Sequence, residues 1–257
     1  MDHHLLEKYN TLESTIHKLD PRTKILFSLL YVLTVVFTVP GDIVKLGALL
    51  LVIVSVIIMA KIPLIYVFKR SLVIFPFVFI IAMFLPFFSV ADGSGFIELK
   101  VLGLNLSRKG LYIFWNSLFK AWFAIMAMIL LSSTTSFPLM LKGLALLKVP
   151  FILIMILSFM YRYIFVLIDK AQKLNRAVKL RHFSLNNFKQ IKIIANMIGL
   201  LFIMTYEKGE RIYQSMVSRG FEGNIKLMDR LKIKAVDIVF SVVVLTVLLF
   251  INLWSFL

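Results

Sequence analysis

The sequence lacks cysteine and is poor in acidic residues. None of its 257 residues is cysteine, and 13 Asp and Glu stand against 29 Lys and Arg, which gives a net charge of +16. The absence of cysteine excludes a disulfide framework, a thiolate metal site and a cysteine nucleophile. No Gly-x-x-x-x-Gly-Lys-Ser/Thr pattern occurs, so we expect that the chain does not hydrolyse ATP itself.

Apolar residues are abundant instead. Hydrophobic residues make up 60% of the chain, including 24 Phe, and the mean hydropathy is +0.93, whereas a soluble domain averages about 45–50%. The apolar runs are continuous and lack the alternation of barrel strands, so the sequence predicts an all-α, polytopic membrane protein. Candidate membrane segments lie at 25–40, 46–60, 71–91, 110–137, 150–168, 193–205 and 234–257. In such a chain, Lys and Arg mark the cytoplasmic side and the anionic leaflet rather than a nucleic-acid surface.

Two basic clusters predict the topology. Residues 169–192 hold seven Lys and Arg against one acid, and residues 206–234 hold seven against four. Both clusters should lie inside, together with the N-terminus. We therefore predict a cytoplasmic segment 1–24 without a cleavable signal, a membrane domain 25–138 of about four spans, a cytoplasmic or interfacial module 139–230, and a C-terminal transmembrane helix 231–257. In an alternative topology, 150–168 and 193–205 both cross the membrane. The basic residues of 169–192 would then lie outside the cell, which contradicts the preference of Lys and Arg for the cytoplasmic side.

The module 139–230 should contain two long amphipathic helices, each ending in an arginine. Charged and apolar residues recur at three- and four-residue steps until about Arg181, as on an amphipathic helix. A second helix contains the i,i+4 pair Glu207 and Arg211 and should close at Gly220, with Arg219 in its last turn. The guanidinium fork suits carboxylates and carbonyls. Arg181 and Arg219 are therefore candidate anchors for another protein, or alternatively capping cations at the lipid surface.

Four segments occur in order along the chain. They are LDPRTK at 19–24, TTSFP at 134–138 leading to LKVP at 147–150, YRYIF at 161–165 running to RAVKLR at 176–181, and ER at 210–211 followed by MVSRGFEG at 216–223. Together they resemble the transmembrane T component of energy-coupling factor (ECF) importers of vitamins and metals, most closely its cobalt-type CbiQ branch. The resemblance extends over about residues 19–223.

In the family it resembles, two coupling helices end in short arginine motifs that dock into grooves of two ATPase subunits. The matching residues here are Leu180, Arg181 and His182, and Ser218, Arg219 and Gly220. The first motif departs from the usual Ala-Arg-Gly at both flanks, which puts its helix-end geometry in doubt. The resemblance implies that these are ATPase-coupling residues, that none is catalytic or a metal ligand, and that the chain binds no cofactor, because ATP and Mg²⁺ belong to the partner ATPases.

The resemblance also implies the partners and the location. The chain would be a non-enzymatic scaffold in the cell membrane that links the two ATPases to a substrate-binding membrane subunit, with a small accessory membrane subunit as a further candidate partner. The cobalt-type branch favours cobalt as the cargo. Nickel and a vitamin are alternatives, because the partner subunit chooses the cargo.

Several polar or soft side chains have competing interpretations. His3 and His4 beside Asp2 could chelate copper or nickel at a free amino terminus, but the predicted cytoplasmic side is wrong for capturing an imported ion. Lys120 lies within an apolar segment and is either a functional intramembrane charge or an interfacial residue of a span that starts near Trp122. The methionines are expected to serve as flexible packing.

Two other function classes predict features that the sequence lacks. A membrane-embedded lipid transferase should carry an acidic cluster for Mg²⁺, but no Asp-x-x-Asp occurs and the interfacial regions are basic. A secondary transporter should show broken helices in two related halves, and the sequence has no internal repeat.

Overall fold

The computed structural model describes residues 14–39, 42–84, 108–180, 189–223 and 234–254. These residues form eight helices and no strand, which confirms the all-α class. The helices are α1 (Pro21–Val36), α2 (Ile43–Met59), α3 (Leu64–Met83), α4 (Arg108–Thr134), α5 (Phe137–Leu146), α6 (Phe151–Leu180), α7 (Lys189–Val217) and α8 (Ala235–Trp254).

Four of the described helices are long and apolar enough to cross a membrane. By length and composition these are Leu64–Met83, Tyr112–Thr134, Phe151–Leu180 and Ala235–Leu253. Helix α6 meets this criterion, whereas the preference of Lys and Arg for the cytoplasmic side predicted that its apolar part, 150–168, lies at the interface without crossing. The side of the membrane on which 139–230 lies stays a prediction. With 16 and 17 residues, α1 and α2 measure only about 24–26 Å, which is short of the ~30 Å hydrocarbon core.

Helix α3 begins earlier than the apolar segment 71–91 indicated. Pro63 takes the N-cap position and the helix starts at Leu64, so Lys69 and Arg70 lie within its first two turns rather than in a connecting loop. The Arg70 guanidinium donates to the Tyr66 hydroxyl at 2.7 Å. Long basic side chains can extend from the start of a helix towards a polar surface, which reconciles these cations with an otherwise apolar helix.

The chain divides into two compact units, one within 1–143 and 231–257 and the other within 144–230. In the first unit α4 packs against α1, α2 and α3, and α8 packs against α1 and α2. Apolar side chains with at most 1% of their surface exposed fill the space between these helices. They are Tyr31, Val35, Leu49, Ile53, Ile57 and Val67. In the second unit α6 packs against α7.

Aromatic side chains line the contact between α3 and α4. Phe68 meets Trp122 edge-on with centroids 5.8 Å apart, and Phe79 meets Phe114 in the same way at 5.8 Å. The Trp122 indole donates to the Ser71 hydroxyl at 3.1 Å, so its polar group is satisfied inside an apolar contact.

Helices α2 and α5 end in the same kind of turn. A lysine adopts a left-handed conformation after each helix, Lys61 with φ 56° and Lys148 with φ 63°, and a proline follows two residues later. The N–H groups of Ile62 and Val149 bond back to carbonyls in the last turns of α2 and α5, at 3.4 and 3.3 Å. Glycine usually takes this position, and the following proline restricts the chain to an extended exit. The Lys-x-Pro pattern therefore marks the ends of two helices.

Lys120 binds the end of α1. Its ammonium donates to the carbonyl of Val36 at 3.2 Å and also to that of Thr38. The last carbonyls of a helix have no partner within the helix, and a cation there is favoured by the helix dipole. The polar group inside α4 therefore has a structural partner in α1.

A buried carboxylate joins the beginnings of α1 and α8. Asp237 is 1% exposed. One of its oxygens accepts the Asp20 backbone N–H at 2.8 Å and the other accepts the Lys234 backbone N–H at 2.7 Å. Asp20 in turn is the N-cap of α1, and its side chain accepts the Arg22 N–H at 2.9 Å. Unpaired N–H groups at two helix starts are thus satisfied by two carboxylates.

Lys24 continues this junction towards the end of α4. It is 6% exposed, and its ammonium donates to the carbonyls of His17 at 3.1 Å and Thr134 at 3.0 Å. A Cβ added to Gly143 of α5 would lie 3.1 Å from the Pro21 Cβ, so this helix approaches α1 closely. Two of the four segments that carry the family resemblance, 19–24 and 134–138, therefore lie side by side. We call the set Asp20, Lys24, Thr134 and Asp237 the polar junction.

Removal of the Asp237 carboxylate should destabilise the first unit. Asp237→Ala leaves the buried Asp20 N–H without an acceptor, at about 1–3 kcal/mol, and also removes the acceptor of the part-buried Lys234 N–H. Asp237→Asn keeps one acceptor oxygen and should lose less. Thermal unfolding of the purified protein in detergent measures the difference, with Asp169→Ala, an exposed aspartate on α6, as the control. Equal melting temperatures for Asp237→Ala and Asp169→Ala would contradict this role.

Candidate functional site

Helices α6 and α7 are the longest in the described chain, with 30 and 29 residues, or about 45 Å each. Helix α6 is apolar in its first part and charged towards its end. Helix α7 begins with Lys189 and Lys192, carries no charge over 193–206, and is charged again towards its end. On α6 the apolar run ends at Arg162, and on α7 it ends at Glu207. The sequence analysis predicted amphipathic helices here from three- and four-residue spacing, and it also predicted the ion pair of α7. Arg211 bonds Glu207 at 2.9 Å.

The end of α7 is closed by its own backbone. Gly220 has φ +77°, which confirms the predicted left-handed position. The Phe221 N–H bonds the Met216 carbonyl at 3.0 Å, and the Gly220 N–H bonds the Val217 carbonyl at 2.9 Å. These two bonds form the Schellman pattern, which satisfies carbonyls that the helix leaves unpaired.

This closure places Arg219 at the C-cap with its side chain exposed. Ser218 precedes it and donates its hydroxyl to the Gln214 carbonyl at 2.9 Å, so the hydroxyl is engaged within the helix. Of the three residues in this predicted motif, only Arg219 presents a charged group at the helix end.

The first predicted motif lies at the edge of the described chain. Leu180 is the last residue of α6 and is 82% exposed. Arg181 and His182 lie outside the described residues, as do His3 and His4. The structure therefore describes one complete arginine motif, at the end of α7.

Basic side chains line a cleft between α6 and α7. The cleft has a volume of about 370 Å³ and is lined by Arg162 and Tyr163 of α6 and by Lys208, Arg211, Ser215 and Arg219 among the residues of α7 and its C-cap. The α7 residues recur at three- and four-residue steps and so share one face of the helix. The cleft brings Arg162, which the sequence analysis gave no individual role, towards the Arg219 motif.

The described residues contain no group of three or more His, Asp or Glu side chains that could hold a metal ion. The charged groups of the second unit are mainly cations, and exposed cations bind anions and carboxylates rather than metals. The chemistry that this unit offers is recognition of an acidic or phosphorylated surface.

The sequence of the chain matches the family described as CbiQ, cobalt transport protein, over residues 13–229. The chain belongs to this family. The match covers α1 to α7. It includes the cleft, the Arg219 motif and every residue of the polar junction except Asp237.

Individual relatives support a transporter component. The chain is 28% identical to the energy-coupling factor transporter transmembrane protein EcfT of Staphylococcus aureus, over 86% of this chain and 85% of the relative. It is 25% identical to the EcfT of Bacillus subtilis, over 97% and 98% of the two chains. An uncharacterized protein of Methanocaldococcus jannaschii is 28% identical over 95% of this chain and 84% of its own. The CbiQ-family chain is therefore a T component of the energy-coupling factor type and a membrane protein.

The sequence analysis missed Asp237. It examined Lys120 as a charge inside an apolar segment but did not apply the same rule to Asp237, which is the only charged residue between 235 and 257. An isolated acid in an apolar helix is the signal that could have identified it. The bond from Lys24 to Thr134 joins residues far apart in the chain and has no comparable signal.

Gly220→Ala should loosen the end of α7. No atom lies within 4 Å of an added Cβ at this position, so the cost comes from the left-handed backbone alone, about 1–2 kcal/mol. Hydrogen exchange of the Gly220 and Phe221 amides should accelerate. Gly209→Ala is the matched control, because Gly209 lies inside α7 with equally open space, and alanine there should stabilise the helix by up to ~1 kcal/mol. Unchanged exchange in Gly220→Ala would contradict the capping role.

Proposed function

We propose that this chain couples two ATPase subunits to a separate substrate-binding membrane subunit and that the complex imports cobalt. The observation that carries the proposal is the exposed Arg219 at the closed end of α7, in a chain of the CbiQ family. A C-cap fixed by backbone bonds holds the start of this side chain in one place, so that binding of the guanidinium in a groove of a partner would cost rotamer freedom of the side chain and little backbone freedom.

Each ATPase would hold one arginine. Arg181 follows α6 directly in the sequence and Arg219 closes α7, so each long helix would transmit the movement of one ATPase. ATP and Mg²⁺ would be bound by the ATPases, and this chain would bind neither. Arginine suits this role because its fork can bind a carboxylate through two parallel bonds.

The apolar parts of α6 and α7 support a mechanical role. Ile152 is 61% exposed, Ile198 60% and Phe202 71%, so these helices present apolar surface that can slide on a lipid or protein neighbour. Packed helices shift by small shear movements. Movement of the ATPases on ATP binding would tilt α6 and α7, and the tilt would move the substrate-binding subunit.

Cobalt is the proposed cargo because the family is described as a cobalt transport protein family. Nickel and a vitamin are the alternatives. Selection would belong to the substrate-binding subunit, so exchange of that subunit, and not mutation of this chain, should change the imported substrate.

The orientation is part of the proposal. The N-terminus and residues 139–230 would face the cytoplasm of a cell membrane, because Lys and Arg dominate 169–192 and 206–234. This arrangement puts both arginine motifs on the side where ATP is available.

Single cysteines test this orientation, because the chain has no cysteine of its own. Lys173→Cys and Lys226→Cys, the latter outside the described residues, should not react with an impermeant thiol reagent added to intact cells. Ser94→Cys should react and serves as the positive control, because the segment 92–109 follows three candidate spans and so lies outside when the N-terminus is inside. Labelling of either lysine position from outside would overturn the orientation.

Loss of the arginines should weaken binding of the ATPases. Arg181→Ala and Arg219→Ala should each cost about 1.5–3 kcal/mol of binding, and the double variant should retain almost no ATPase on co-purification of the tagged chain. Arg→Lys should rescue poorly because the planar fork is lost. Arg176→Ala, an exposed arginine of α6, is the control. Full ATPase recovery with the double variant would mean that these arginines are only helix-capping cations.

A further inference from the structure

The basic cleft lies next to one of the two arginine motifs and far from the other. Its lining comes from the first half of α6 and from the last turns and C-cap of α7, and only eight residues join the two helices, so the helices run in opposite directions. Leu180, which ends α6, is 18 residues beyond Arg162, or about 27 Å along the helix. Arg219 therefore borders the cleft, whereas Arg181, which follows Leu180 in the sequence, belongs to the far end of α6.

The charge of the cleft is not balanced by its own residues. Its lining includes no carboxylate but four cations, which are Arg162, Lys208, Arg211 and Arg219. Arg211 bonds Glu207, but that carboxylate is 54% exposed and lies outside the lining. The other three cations form no ion pair with a described residue. Like charges that face one space repel each other, so the cleft favours a negatively charged group from outside this chain.

Apolar side chains line the cleft together with the cations. Phe159, Ile212 and Met216 are half-buried there, whereas the four cations are exposed. An apolar centre with a polar rim is the usual composition of a protein–protein interface. The surface of a folded partner that presents a carboxylate can cover both parts, whereas a free phosphate ion would leave the apolar part uncovered.

The uncharged stretches of the two helices leave the cleft in opposite directions. The stretch 151–161 of α6 and the stretch 193–206 of α7 each precede the cleft in the sequence, and the helices are antiparallel. A lipid headgroup site needs apolar surface on one side, where the acyl chains lie, and this cleft does not offer it. The cleft is instead continuous with Arg219, the residue proposed above to bind an ATPase. Charge and position therefore favour an acidic group of the same ATPase as the occupant.

We propose that the cleft binds an Asp or Glu side chain of the ATPase subunit that holds Arg219, with Arg162 of α6 and Arg211 of α7 as its contacts. The guanidinium forks suit a carboxylate because they offer paired N–H donors. This inference rests on the proposed function and adds two contacts that the arginine motif does not include. The ATPase at this end would then hold both long helices, so that α6 and α7 would move together when it moves.

The test measures the affinity of the purified ATPase subunits for the purified full-length chain in detergent. The chain carries Arg181→Ala throughout, so that binding depends on the Arg219 end. Because a hydrogen bond to a charged group is worth about tenfold in binding or more, Arg162→Gln with Arg211→Gln should weaken binding about a hundredfold. Glu207→Gln, which frees Arg211 from its ion pair, should bind more tightly than the parent chain, a gain that a damaged fold would not produce.

The matched control is Lys173→Gln with Lys192→Gln, which removes two exposed cations from the same helices outside the cleft lining and should retain the parent affinity. Equal losses in the two double variants would overturn the inference in favour of general charge attraction. Unchanged binding in Arg162→Gln with Arg211→Gln, while Arg219→Ala loses the ATPase, would overturn the inference and leave the proposed function standing. Full binding in Arg219→Ala as well would contradict both.

A second titration separates the protein partner from a lipid. The same chains are titrated with short-chain phosphatidylglycerol, whose binding should be equal in the parent chain and in Arg162→Gln with Arg211→Gln. Lipid binding that requires both arginines, with the ATPase affinity unchanged when they are removed, would assign the cleft to a lipid and overturn the inference.

Discussion

The first unit depends on buried or half-buried charged groups that bond to the backbone at helix ends. Asp237 accepts two N–H groups at the starts of α1 and α8, Lys24 donates to the carbonyls of His17 and Thr134, and Lys120 donates to carbonyls at the end of α1. A membrane offers no water to satisfy such groups. Helix α1 is shorter than the hydrocarbon core, so other helices must supply the partners at its two ends.

The second unit solves the same problem differently. Helix α7 closes on its own backbone through Gly220 and Phe221, and therefore no side chain of another helix is needed at its end. Most cations of this unit therefore stay exposed and are not used to hold its helices together. A unit with this property can present charge to an outside partner.

The two units also differ in how they use apolar surface. In the first unit α4 buries Phe123, Ala127 and Leu130 against its neighbours, and aromatic contacts such as Phe68 with Trp122 hold α3 in place. In the second unit most apolar residues of α6 and α7 are exposed or half-exposed. The first unit is thus a packed helical core and the second a sparsely packed pair of long helices. The proposed transmission of motion would fall to the second unit, because packed cores resist deformation whereas loosely packed helices can shift.

Composition and periodicity determined the helical class, the membrane location, the two long helices and the left-handed Gly220, because these depend on local spacing and on transfer of apolar residues from water. The apolar pattern predicted the ends of α1 and α2 and the start of α3 less accurately. In α3 the reason is that Lys69 and Arg70 interrupt the apolar pattern inside the helix. Only the tertiary structure decided that Asp237 meets Asp20, that Lys24 meets Thr134, and that Arg162 lines one cleft with Arg211. Those pairs are distant in the chain, and each is fixed by the packing of helices whose relative placement no local pattern encodes.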